Sequence, residues 1–179
     1  MSVFGWIIIQ QRFGFAFDWH RPWADYKAGF GSTGADFWLG LENVRLLTSS
    51  RPYRLRVEVQ ALSTNRWYSD EYWTFEIGDE LTDEYRLAVS GHSGDAGNGL
   101  MYAGDWNGDG HYGNYQNNGM KFSTYDRDND VWSGNCALDK HGGWWYRQCY
   151  WTCLTGNRQN HYWTLTRPLL NSRMMIKQQ

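Results

Sequence analysis

Beyond Ser90 the sequence becomes rich in Gly, Asn and Asp with aromatic residues scattered between them, and no sustained strand or helix pattern replaces them. Such a segment is loop-dominated. Its backbone must be held by something other than a sheet, and its residues offer two means, a bound metal and a disulfide. Three cysteines, Cys136, Cys149 and Cys153, lie within eighteen positions of one another there. They permit three alternative single bridges, each leaving one thiol over. A zinc site built from all three with His161 is a further arrangement, but the spacing matches none of the common structural zinc patterns.

Just before the cysteines, Asp126, Asp128 and Asp130 occupy alternate positions and are followed by Trp132 and Gly134. Calcium takes six to eight hard oxygen ligands, so a loop that offers carboxylates at alternate positions and then carbonyls can wrap the ion without a helix. The competing reading is a solvated acidic turn. A second candidate calcium site is Asp105, Asn107 and Asp109, which match the opening of an EF-hand loop. Position 12 of that pattern falls on Gln116 and no flanking helices are evident, so any site there is weak and accessory.

The first half reads differently. Gly5 to Arg12 contains a short β-branched run bounded by polar residues, the pattern of a buried strand. Residues 18–30 carry Trp23, Tyr26 and Phe30 at helical spacing, with Pro22 near the start and Gly29 and Gly31 near the end. Phe37 to Leu47 predicts another short helical turn. Residues 53–60 alternate apolar with polar, and 72–77 predict a partner strand across a Ser63-Thr64-Asn65 connection, giving an antiparallel hairpin with one buried face. Residues 85–89 add a third strand. For Trp144, Trp145 and Tyr146 core packing stands against ligand contact, and it is the preferred reading for the two Trp.

Composition excludes several functions. Trp, Tyr and Phe make up 18% of the chain, and the Leu/Ala/Glu/Lys background of a helical bundle is missing. The formal net charge is −2 and the basic residues are dispersed, so no footprint for a phosphate backbone exists and nucleic acid is not a partner. The longest apolar run, Trp6-Ile7-Ile8-Ile9, is too short to enter a membrane, and no signal peptide lies within this chain. Gly91-His92-Ser93-Gly94-Asp95 narrowly misses the nucleophile-elbow pattern, with Asp95 where the second Gly belongs. With no nucleophile and base assembled, the chain is not an enzyme.

Motifs spread along the chain tie these readings together. Trp6-x-x-Ile9-Gln10-x-Arg12, Trp23-x-x-Tyr26-x-x-Gly29-Phe30-Gly31, Phe37-Trp38-Leu39-Gly40, Asn118 to Thr124, Asp126-x-Asp128-Asn129-Asp130, Gly134-Asn135-Cys136-Ala137 and Gly142-x-Trp144-Trp145-Tyr146-x-x-Cys149 occur in this order. In them the chain resembles the fibrinogen-like domain of ficolins, tachylectins and the C-terminal regions of fibrinogen chains, over roughly residues 5 to 177. The family's first segment, with its own cysteine pair, is absent here.

The resemblance implies an α+β fold with a central antiparallel sheet, short helices and a loop-rich C-terminal calcium and ligand subdomain. Residues 1–179 then form one N-terminally incomplete domain, with 1–110 the sheet and helix part and 111–179 the calcium and ligand part. It implies Ca2+ held by the side chains of Asp128 and Asp130 and the carbonyls of Trp132 and Gly134, with Asp126 supporting from outside. It pairs Cys136 with Cys149, a closure worth about 3 kcal/mol by chain entropy. Cys153, standing where the family usually has Asn, is left as a free or intermolecular thiol.

In lectin members the bond after the second cysteine is cis and leads to His; here the residue is Tyr150, and Lys140 replaces a second pocket aromatic. The expected ligand pocket comprises Lys140, Arg147, Gln148, Cys149, Tyr150 and Tyr162. The function implied is calcium-dependent extracellular recognition of acetylated or anionic glycans or glycoproteins, as innate-immune lectin members perform. The alternative is binding of a receptor or matrix protein, with calcium only structural. The resemblance further implies a secreted protein whose signal lies outside this chain and an oligomer in the full-length protein.

Overall fold

The alternation of residues 53–60 becomes the middle of the molecule. In the computed structural model, which describes residues 2–3, 5–102, 116–149, 151–164 and 168–179, Tyr53, Leu55, Val57 and Val59 are buried on one face of a strand. The polar positions between them turn to the other face.

In chain order the elements are β1 (Ser2–Val3), β2 (Trp6–Phe13), α1 (Trp23–Ala28), β3 (Phe30–Gly31), β4 (Phe37–Trp38), α2 (Leu41–Ser50), β5 (Tyr53–Ala61) and β6 (Trp67–Ile77). They continue with α3 (Glu80–Asp83), β7 (Leu87–Gly94), α4 (Cys136–Lys140), β8 (Thr152–Cys153), a 3-10 turn (Arg158–Asn160), β9 (Tyr162–Trp163) and β10 (Leu169–Gln178). Eight strands form one antiparallel sheet in the order β3-β4-β2-β10-β5-β6-β7, with β1 on β2, while β8 and β9 pair separately. The fold is α+β, as expected.

Sequence reading did not anticipate β10, although it lies between β2 and β5 at the centre of the sheet. Ser172, Met174 and Ile176 point to the core beside Val59, Val57 and Leu55. Ser, Asn, Lys and Met are weak strand formers, and the register is supplied by partners more than a hundred residues away.

Four further departures have local causes. The polar residues expected to bound β2 lie inside it and are buried, because Ile9 is an extra residue where the pairing slips opposite Met174 and Met175. Gln10 then donates to Ser172 Oγ (3.2 Å), Gln11 to the Ala35 carbonyl (2.9 Å), and Arg12 to the carbonyls of Gly14 (3.0 Å) and Gly156. The first helix is confined to Trp23–Ala28 rather than 18–30. It ends at Gly29, whose φ of 97° favours Gly and where any Cβ would sit 2.6 Å from the Leu39 carbonyl oxygen. Phe37 and Trp38 form a strand against Gln11 and Gln10, with Gly40 at φ 100° separating them from α2. The strand expected at 85–89 begins at Leu87, since Glu84 and Tyr85 both take positive φ in the turn before it.

That last strand runs through the stretch resembling a nucleophile elbow. His92 pairs across from Tyr72, and its Nε2 lies 2.8 Å from Asp70 Oδ1. Asp70 is buried and also accepts from the backbone of Ala96 and Gly99 and from Trp163 Nε1 (2.7 Å). A buried carboxylate so surrounded is a structural clamp.

A contiguous core joins the sheet to the loop-rich region. Phe122 meets Trp145 (5.0 Å, edge-on), Tyr26 (5.2 Å) and Trp38 (5.9 Å). Trp144, Trp145 and Tyr146 are all buried in it. The division at 110 and 111 falls outside the described residues. Among those residues no helix is long and apolar enough to cross a membrane.

Candidate functional site: the acidic loop and the Cys149 turn

Residues 123–136 have almost no regular structure, so their backbone groups close partly on one another and partly on side chains. Thr124 and Arg127 exchange two backbone hydrogen bonds (2.9 and 3.1 Å) and put Tyr125 and Asp126 at a hairpin tip. Asp126 Oδ1 accepts from Thr124 Oγ1 (2.7 Å) and from the backbone of Trp23 (2.9 Å) at the start of α1. It faces the helix. Arg127 stands 4.0 Å over the Trp23 ring and pairs with Glu84 (3.2 Å) and Glu80 (3.5 Å). Glu80 also takes Trp23 Nε1 and Lys27.

The acidic pair lies beyond this anchor. Asp128 Oδ1 accepts from the Asp130 backbone (3.2 Å); Asp130 Oδ1 accepts from Trp132 N and Oδ2 from Cys136 N, both at 2.8 Å. Burial and the neighbouring Asp128 carboxylate push the Asp130 pKa up to about 6, against the two backbone N–H groups that lower it. A cation between them would relieve that repulsion. The Trp132 ring lies over Gly134, where a Cβ would come within 2.6 Å of it. Donor chemistry fits calcium: two carboxylates with backbone oxygens in one short loop. Among the described residues no three His, Cys, Asp or Glu side chains cluster to hold a metal, and the expected set, with only two carboxylates, does not require three.

Two asparagines missed in the sequence hold this loop. Asn129 Nδ2 donates to the Phe122 carbonyl (2.7 Å) and its N–H to Ser123 Oγ (3.0 Å). Asn135 Nδ2 reaches the carbonyls of Thr124 and Tyr125 (3.2 Å each), while its Oδ1 caps α4 through the Leu138 N–H (2.8 Å). The signal was present in the Asn-Cys step before a short helix.

Cys136 and Cys149 are bonded, with Cα atoms 4.8 Å apart. A zinc site is thereby excluded, since two of its thiols are consumed and His161 is buried against Ser172 Oγ (3.0 Å). Cys153 is a free thiol, but the intermolecular alternative fails because the residue is fully buried, with Sγ 3.0 Å from Tyr146 Oη. Burial pushes its pKa up, so it stays protonated.

The expected ligand residues divide. Gln148 is exposed and Arg147 half-buried, its guanidinium near Met120 Sδ (3.7 Å). Lys140, Cys149 and Tyr162 are buried. Lys140 pairs with Asp139 (2.8 Å) and its carbonyl accepts from Asn157. Tyr162 Oη donates to the Cys149 carbonyl (2.7 Å). Cys149 (φ 62°) and Trp151 (φ 93°) both occupy the left-handed region, which non-Gly residues adopt only when their surroundings enforce it. Tyr150, with the expected cis bond, and the second candidate calcium residues Asp105, Asn107 and Asp109 lie outside the described residues.

The acidic loop and the turn are connected through short paths. Val131 N donates to the Arg147 carbonyl (3.0 Å), and Asp130 holds the Cys136 N–H whose disulfide ends at Cys149. A change at Asp130 therefore reaches the turn directly.

The sequence model described as fibrinogen beta and gamma chains, C-terminal globular domain, matches residues 2–167. The chain is 37% identical to fibrinogen-like protein A of Apostichopus parvimensis over 89% of its own length and 54% of that protein's. It is 38% identical to human ficolin-3, over 85% of the chain and 46% of the ficolin. The chain thus spans about half the length of these relatives. Among solved structures, the fibrinogen-like globe domain of human ANGPTL6 superposes with a TM-score of 0.84 at 33% identity, covering 97% of this chain and 78% of that one. With most of its length matched, this chain belongs to the fibrinogen C-terminal globular domain family, a non-enzymatic recognition fold.

Proposed function

We propose that this chain is an extracellular, calcium-dependent module that recognises acetylated or anionic glycans at the turn around Cys149. The observation that carries this reading is the pair of positive φ values at Cys149 and Trp151, both non-Gly, in a turn braced by Tyr162 and the disulfide. Strain of this kind is held at binding sites by its surroundings. Calcium at Asp128 and Asp130, with the carbonyls of Trp132 and Gly134, fixes the turn through Val131 and Cys136. Exposed Gln148 and the Arg147 guanidinium supply donors beside it. The disulfide suits an oxidising, extracellular compartment, and tethering several copies in an oligomer would raise avidity. A glycan array probed with and without a chelator tests the reading. Chelator-sensitive binding to acetylated or anionic sugars is expected, and its absence on every such sugar rejects it.

One observation favours a protein partner instead. Tyr125, Val131, Trp132 and Leu138, on the acidic loop and α4, are large apolar side chains left exposed, the kind of surface that marks protein contacts. On that reading calcium only stiffens the loop. Asp128→Ala would then lower stability while leaving any glycan affinity unchanged.

A further inference from the structure

The face of the sheet turned away from the core carries a groove of about 360 Å³, far in sequence from the acidic loop. That volume lies in the range of small-molecule sites, about 300–1,000 Å³. Arg56, Glu58, Trp67, Ser69, Asp95 and Arg173 line it. Strand pairing fixes them in rows: Ser69, Glu58 and Arg173 stand across β6, β5 and β10, with Glu71 beside Arg56 in the adjoining row. Trp67 lies two residues from Ser69 on the same face and is 45% exposed. Trp67 thus presents an open indole face beside the polar groups of the groove.

The charges identify the ligand class. Arg56 binds Glu58 (2.7 Å) and Glu71 (2.5 Å) and reaches Ser69 Oγ (3.4 Å), while Arg173 binds Glu58 (2.5 Å) and lies 5.9 Å from the Trp67 ring. Two guanidinium groups thus face two glutamates, and Asp95 adds a further carboxylate. An anion in the groove would meet Glu58 and Asp95, and a cation would meet Arg56 and Arg173. A neutral polyhydroxylated ring meets neither difficulty. Its hydroxyls accept from guanidinium N–H and donate to carboxylates, and its C–H face covers the indole.

We propose that this groove is a second binding site, taking a neutral sugar ring without calcium. It is independent of the glycan reading at the Cys149 turn. The experiment is a titration of the whole chain in EDTA with methyl β-galactoside, methyl α-mannoside and cellobiose, followed by NMR of the Trp67 indole N–H and the Arg56 and Arg173 side-chain N–H signals. Saturable shifts with at least one sugar are expected. Trp67→Ala should weaken that binding about tenfold, a loss typical of an aromatic contact. Trp73→Ala, on the same face but outside the groove, should leave it unchanged. No saturable shift with any of the three sugars, or equal weakening by Trp73→Ala, overturns the proposal. Because calcium is absent throughout, failure at the Cys149 turn leaves this result untouched, and the reverse holds equally.

Discussion

Strands β5 and β10 pair along nine positions and satisfy one another's backbone groups, whereas residues 117–149 close several of theirs on side chains. Asn117 donates to the Trp145 carbonyl (2.7 Å), Ser123 and Asn129 hold each other's segment, and Asn135 takes two carbonyls at once. The contrast has an energetic consequence. In a ladder a side chain can change without removing a backbone hydrogen bond, but in the loop region one substitution can take the partner from one or two backbone groups. The framework of that region is therefore more sensitive to substitution than that of the sheet.

Breaking the junction between the two should produce the largest effect. Phe122 is fully buried against Tyr26, Trp38 and Trp145, so Phe122→Ala opens a cavity where the regions meet. Urea unfolding should show a loss of about 3–5 kcal/mol. A loss below about 1 kcal/mol would mean that the regions are held together elsewhere. Replacing both Cys136 and Cys149 by Ser comes next, at about 2–4 kcal/mol. Hydrogen exchange should then speed up across 117–149 while β5, β6 and β10 keep their protection. Uniform loss of protection would contradict the division drawn above.

The same contrast governs how much could be read from the chain. Strands β5 and β6 announce themselves because Leu55, Val57 and Val59 alternate with polar residues and their partner follows within a hairpin. β10 does not, since its register is set by β2 and β5 at the far end of the chain. The alternation of the acidic triplet, on which the calcium proposal rests, was legible in the sequence. Its scaffold was not, because Asn129 and Asn135 act on carbonyls brought close only by folding. Burial of Lys140, Tyr162 and Cys153 likewise follows from packing, which no local pattern encodes.

A smaller loss tests the side-chain scaffold directly. Asn135→Ala removes the cap of α4 and two bonds to the hairpin carbonyls, and thermal unfolding should register about 1–2 kcal/mol. Thr74→Ala offers the sheet counterpart. Its hydroxyl meets only Ser90 Oγ (2.6 Å) on the exposed face, so the change should stay within about 0.5 kcal/mol.

A pH-dependent effect concerns proton and cation competition at Asp130. Its folded pKa of about 6 lies above the usual carboxylate value near 3.9, so between those values the folded chain holds a proton that the unfolded chain has released. In calcium-free buffer stability should therefore fall as pH rises from about 4 to about 6, by on the order of 1 kcal/mol after solvent screening of this partly exposed group. Asp130→Asn removes the ionisation and should flatten that part of the profile. Saturating calcium should reverse the slope, because the ion binds the deprotonated pair and stabilises the folded state by mass action, about 2.7 kcal/mol at a hundredfold excess over Kd. Unfolding midpoints measured across this range, with EDTA and with calcium, distinguish the cases: two superimposable profiles would show that the loop is an acidic turn without a bound ion.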